Sequence, residues 1–171
     1  AALGASDSAR HSVETARAAL YRFYDLKSRK HAVPRLTRLA LGYPQGTDLA
    51  AIRAGVKIGT AVANGCDLAR NLGNRPANVC TPAHLAEEAG KLAKQYANFD
   101  IKVLDERDIK RLGMGALISV TQGAVEPPRF IVLRYHGAGK QAPIALCGKG
   151  VTFDTGGISI KPAPKMDEMK F

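Results

Sequence analysis

Arg129-Phe130-Ile131-Val132-Leu133-Arg134-Tyr135 and, further on, Pro143-Ile144-Ala145-Leu146-Cys147 are the runs that decide the fold class. Both are dense in Ile, Val and Leu, the composition of strands. The second is apolar throughout, as expected of a strand covered on both faces. Phe99 to Leu104 reads as a shorter strand, and Val33 to Leu41, where apolar and polar residues alternate, is a further strand candidate. Helical patterns stand between and before them. Ser6 to Tyr24 repeats apolar residues at three- and four-residue steps (Val13, Ala16, Leu20, Phe23). Asp48 to about Asn71 keeps one apolar stripe through Leu49, Ile52, Val56, Ala63 and Cys66, with Thr47 or Asp48 as its cap. The stripe predicts one long helix. Thr81-Pro82 opens another, with Thr at the cap and Pro in the first turn, fading near Tyr96; a helical turn follows from Asp105 to about Leu112. Helices alternating with such strands imply an α/β layer architecture, a mixed sheet flanked by helices.

The chain has 171 residues, 46% of them hydrophobic and 23% charged, enough for a packed core and unlike a disordered composition. No apolar run approaches the roughly 20 residues of a membrane helix. The first residue is Ala1, with no apolar segment behind it long enough for a signal peptide, and it is expected to be a cut end. The net charge of +10 permits a polyanionic partner, but the basic residues are scattered, with Lys27, Arg29, Lys30, His31, Arg35 and Arg38 the densest group. A solvated surface accounts for them as well. Cys66, Cys80 and Cys147 are odd in number and lack CxxC spacing, which argues against a zinc site or a disulfide framework and for reduced, mostly buried thiols. His11, His31, His84 and His136 are dispersed, and each reads as a surface or locally hydrogen-bonded residue.

The chemistry concentrates in Gly148-Lys149-Gly150-Val151-Thr152-Phe153-Asp154-Thr155-Gly156-Gly157-Ile158-Ser159-Ile160-Lys161, which directly follows the second apolar run. Ligand sites in α/β sheets lie at the carboxyl ends of strands. Two phosphate-loop readings fail. A Walker loop needs a glycine where Arg134 or Pro143 stands, and a dinucleotide fingerprint needs one where Phe153 stands. What remains is one carboxylate, two lysines and a second acidic patch at Asp167-Glu168. A carboxylate beside an amine suits a hard or borderline divalent metal. A glycine-rich turn with a surface Asp and two snorkelling lysines is the alternative that composition leaves open.

The order of residues from Gly148 to Phe171 resembles the signature of the leucyl aminopeptidase family of two-metal peptidases. Lys149 and Asp154 match its first two metal ligands, Lys161 its catalytic lysine, and Met166 to Phe171 the run before its third ligand. Asn71 to Pro82 is similar to the opening of its catalytic domain. Gln122-Gly123 through Phe130 resembles its Gly-Ser-x-x-Pro-Pro strand start, with Ala124 in place of Ser. Tyr21-Arg22-Phe23 with Lys27-Ser28 resembles the end of its N-terminal domain. Ala163-Pro164-Lys165 departs from the pattern, since family members often carry Gly at the last of these positions.

The resemblance implies a division of the chain: residues 1–46 as the end of a smaller α/β N-terminal domain, 47–75 as a linker helix and loop, and 76–171 as the first part of the catalytic domain. It implies a cytoplasmic homo-hexamer that removes N-terminal amino acids, leucine preferred, from peptides, with two Mn or Zn ions, a hydroxide bridging them and an arginine-held bicarbonate as general base. Lys149 would ligate as a neutral amine, Asp154 as an anion, and Lys161 would stay a cation facing the oxyanion. The third ligand, the later acidic ligands and the arginine are not among these residues, so this chain by itself is expected to be inactive. Some bacterial relatives double as DNA-binding regulators, which keeps a DNA-binding accessory role as the alternative, alongside that of an inactive piece.

Overall fold

The computed structural model describes residues 3–28, 36–137 and 139–170. These fall into two units, Ala1–Asn74 and Arg75–Phe171. The basic group from Arg29 to Arg35, including His31, lies outside the described residues.

In the first unit the helical periodicity is realised as α1 (Ala5–Leu20) and α2 (Leu49–Asn74). α2 starts where expected: the Asp48 carboxylate accepts from Ala50 N at 2.8 Å, so Asp48 rather than Thr47 is its cap. It runs unbroken past Lys57 and extends beyond Asn71, as far as Asn74. The cause is tertiary. The Tyr21 hydroxyl donates to Asn71 Oδ1 at 2.8 Å and accepts from Asn74 Nδ2 at 3.0 Å. Arg70 lies over the Tyr21 ring, 5.3 Å from its centroid. The same contacts hold Tyr21 out of α1, which stops at Leu20 instead of continuing to Tyr24.

The two helices run parallel. Gly55 lies against Ser6, Gly59 against Arg10, Asp67 against Arg17 and Asn71 against Tyr21. A Cβ on Gly55 would overlap the Ser6 carbonyl, and one on Gly59 would sit 2.6 Å from the Arg10 carbonyl. Small side chains at these steps of four let the backbones approach closely. Ala9, Ile52 and Ala63 are buried between them.

In the second unit α3 (Pro82–Gln95) opens as read, with the Thr81 hydroxyl accepting from His84 N at 3.2 Å and Pro in the first turn. β1 (Phe99–Leu104) and β2 (Phe130–Tyr135) pair antiparallel, from Phe99 opposite Tyr135 to Leu104 opposite Phe130. Between them come α4 (Glu106–Arg111), capped by Asp105, and a short α5 (Gly115–Ser119) that the pattern did not announce. A 3-10 turn covers Asp167–Lys170. α3 packs on both strands and α4 on β1. Cys80, Ala89, Leu104 and the fully buried Ile109 form the core of this unit. The result is an α/β arrangement in which helices flank a small open sheet.

Two strand expectations are corrected. Pro143–Cys147 has no regular structure, and Ile144 and Leu146 are 90% and 95% exposed. A strand exists only through hydrogen bonds to a neighbour, and no described residues pair with this segment. The sheet is therefore two-stranded and antiparallel rather than mixed. In Val33–Leu41, residues 36–41 are likewise without regular structure, and the first three lie outside the described residues. The thiols also differ from expectation: none of the three is in a disulfide, but only Cys80 is buried. His11, His84 and His136 do make local or cross-strand hydrogen bonds, to Glu14, Arg75 and Asp100. No helix among the described residues is long and apolar enough to cross a membrane.

Candidate functional site

Asp154 is the centre of the glycine-rich segment. Its Oδ1 accepts from Gly156 N at 2.9 Å, the local turn that an Asp two residues before a backbone N–H favours. Gly156 and Gly157 follow with φ of +90° and +74°, in the left-handed region that glycine enters without strain. The chain then bends back, and Lys161 N donates to the Thr155 carbonyl at 2.8 Å. That closure brings the Lys161 ammonium to Asp154 Oδ2, at 3.2 Å. Gly156 is required by space as well as by φ: a Cβ there would overlap the Ser159 carbonyl and meet Lys161 Cγ at 3.1 Å.

The electrostatics follow from this geometry. The Gly156 N–H, first, and then the hydrogen bond and charge of Lys161 hold the Asp154 carboxyl below the usual carboxylate range, with a smaller contribution from the charge of Lys149. Asp154 is about half exposed, at 51%, and Lys161 less so, at 31%. Asp154 is thus a fixed anion that cations can reach.

The three residues singled out from sequence are not placed alike. Asp154 and Lys161 are in direct contact, while Lys149 acts on Asp154 through its charge. Lys149 follows the unpaired Pro143–Cys147 segment rather than a strand end, and its carbonyl accepts from Val151 N at 2.9 Å in a tight turn. Asp167 and Glu168 lie in the 3-10 turn. The Gly156 N–H and the Thr155 carbonyl were not singled out from sequence. The Asp-Thr-Gly order carried the signal, because an Asp two residues before a glycine favours a turn closed by its own carboxylate.

As a metal site the donors fit in kind and fall short in number. One carboxylate and one amine suit a divalent cation. Among the described residues, however, no group of three or more His, Cys, Asp or Glu side chains could hold one.

One further position stands out. Lys165 has φ +63°, an uncommon conformation for a residue with a side chain. It is the position where Lys replaces the expected glycine.

Comparison with known proteins agrees with the motif. Residues 67–171 match the catalytic domain of the cytosol aminopeptidase family. A probable cytosol aminopeptidase of Nitrosococcus oceani is 49% identical over 165 residues, covering 95% of this chain and 33% of that protein. A cytosol aminopeptidase of Pseudomonas aeruginosa is 51% identical over 164 residues, with 95% and 33% covered. The chain thus spans about a third of the length of these curated relatives. Among solved structures, the bottromycin maturation enzyme BotP in complex with Mn superposes with a TM-score of 0.74 at 34% identity, over 93% of this chain and 31% of that one. A variant of tomato leucine aminopeptidase superposes with a TM-score of 0.64 at 33% identity, over 86% and 31%. The matched span holds α3, the two-stranded sheet and the whole Lys149–Lys161 segment, and the chain belongs to the cytosol aminopeptidase family.

Proposed function

We propose that the protein containing this chain is a metal-dependent aminopeptidase that hydrolyses N-terminal residues, leucine preferred, from peptides. The observation that carries the reading is the Asp154–Lys161 pair, held at 3.2 Å within the span that matches the family's catalytic domain. Lys149 and Asp154 would hold a divalent metal together with ligands from elsewhere in the longer protein. The Mn complex of BotP supports Mn, and Zn has compatible donor chemistry. When bound, such a metal polarises the scissile carbonyl and activates water. Lys149 would ligate through its amine nitrogen, and Asp154 would supply negative charge from a carboxylate held by its turn. Lys161 would stabilise the oxyanion that develops at the attacked carbonyl. A bicarbonate general base, a hexameric assembly and a cytosolic location belong to the same proposal, the last supported by the names of the relatives. So does the division into residues 1–46, 47–75 and 76–171, with α2 as a linker. Only its last boundary has support, from the division of the chain into two units between Asn74 and Arg75.

The test is Lys161→Ala in the full-length protein, assayed on leucine amide with metal content measured in parallel. Turnover is expected to fall about 10²–10³-fold with metal retained. Normal turnover, or loss of the metal, would overturn the role given to Lys161. The net charge of +10 supports DNA contact as a second reading. A DNA affinity that falls steeply with salt would establish it, and an affinity unchanged by salt would remove it.

A further inference from the structure

We propose that Lys161 is the resident counter-ion of Asp154 in the metal-free protein, so that a divalent cation must displace its ammonium before it can bind. The inference rests on the metal-site reading above and concerns how that site is loaded.

Both carboxylate oxygens of Asp154 are engaged. Oδ1 accepts from Gly156 N at 2.9 Å and Oδ2 meets Lys161 Nζ at 3.2 Å. The arrangement is built into the loop. The Lys161 backbone is tied to the Thr155 carbonyl at 2.8 Å, and the Lys161 stem passes so close to Gly156 that a Cβ there would lie 3.1 Å from Lys161 Cγ. Lys161 is accordingly less exposed than the carboxylate it faces. An ammonium held on Oδ2 opposes an incoming dication twice, by occupying the oxygen and by like-charge repulsion. Once displaced, the same ammonium is still anchored by its backbone within one short loop of the metal. It is then the cation available to face a developing oxyanion. Lys161 would thus act first as a placeholder and afterwards as a stabiliser of substrate charge, and arrival of the metal would switch it from one to the other.

The experiment uses the full-length protein, stripped of metal with a chelator and titrated with Mn²⁺ alone by calorimetry. Lys161→Met removes the ammonium and keeps the stem. It is expected to tighten Mn²⁺ binding about fivefold, the upper range for a partly exposed ion pair. The gain should shrink in about 1 M salt, where such interactions are screened. Lys161→Gln should behave in the same way and serves if the Met variant does not fold. Unchanged or weaker Mn²⁺ binding by both variants, or a gain indifferent to salt, overturns the placeholder. Asp154→Asn separates the two levels of the argument. If it abolishes Mn²⁺ binding, the site reading stands whatever Lys161 does. If it binds Mn²⁺ as the unaltered protein does, the site reading fails and the placeholder fails with it.

Discussion

Two glycine pairs serve different ends in this chain. Gly55 and Gly59 lie in α2 with ordinary helical backbone and are required because the backbone of α1 occupies the space where their side chains would be. Gly156 and Gly157 lie in an open loop where the chain turns through positive φ, and at Gly156 the nearby Ser159 carbonyl excludes a side chain as well. The first pair serves packing between elements that are both within the described residues. The second pair shapes a segment whose neighbours, from Ile144 to Ile160, are largely exposed: Ile144, Leu146, Ile158 and Ile160 all face solvent. The helix pair completes its contacts within the chain, whereas the loop presents a charged pair on an uncovered apolar segment.

That contrast can be broken most directly with residues 1–171 alone. The chain is expected to show no hydrolysis of leucine p-nitroanilide with added Mn or Zn, because its described donors are too few for a dinuclear site, while circular dichroism still reports the helices. Turnover comparable to a full-length enzyme would erase the distinction. Next in size is Gly59→Leu, which overpacks the α1–α2 contact and is expected to cost about 1–3 kcal/mol in a urea melt. An unchanged melting midpoint would show that the helices are not held at that close approach.

A subtler test concerns Asp154. Its carboxyl is lowered by the Gly156 N–H and by Lys161, so the loop's ion pair is fully present above the ordinary carboxylate range. It is lost only as pH falls through the lowered value. A ¹³C titration of the Asp154 side chain should find its midpoint below that of a free aspartate, and Lys161→Met should move it upward. The smallest effect is expected at Lys165, whose φ of +63° favours glycine. Lys165→Gly relieves that strain but adds freedom to the unfolded chain. The net gain in a thermal melt should be under about 1 kcal/mol.

What the sequence disclosed follows the same line. α3 with its Thr81 cap, β1, and β2 to within one residue were readable because local pattern and local partners agree there. The ends of α1 and α2 were not, because the Tyr21 contacts to Asn71 and Asn74 bridge about fifty residues and leave no periodic trace. Pro143–Cys147 misled for the opposite reason. Its composition reports burial between layers, and no described element covers it. At the candidate site the identities of Lys149, Asp154 and Lys161 came from their order in the motif. The contact between Asp154 and Lys161 depends on two glycine dihedrals, and composition does not specify those.

The α1–α2 pairing also sets what kinds of change the helices tolerate. Ser6, Arg10, Arg17 and Tyr21 meet Gly55, Gly59, Asp67 and Asn71 at an almost constant offset of 49 to 50 residues. Each added or removed residue in a helix rotates everything beyond it by about 100°. A single deletion between Gly59 and Asp67 would leave the glycine contacts in place and swing Asp67, Asn71 and Asn74 away from Arg17 and Tyr21. Substitutions along α2 alter one contact at a time, but an indel dephases the whole polar end. Within this helix, descendants of the gene can vary in letters and must keep their count.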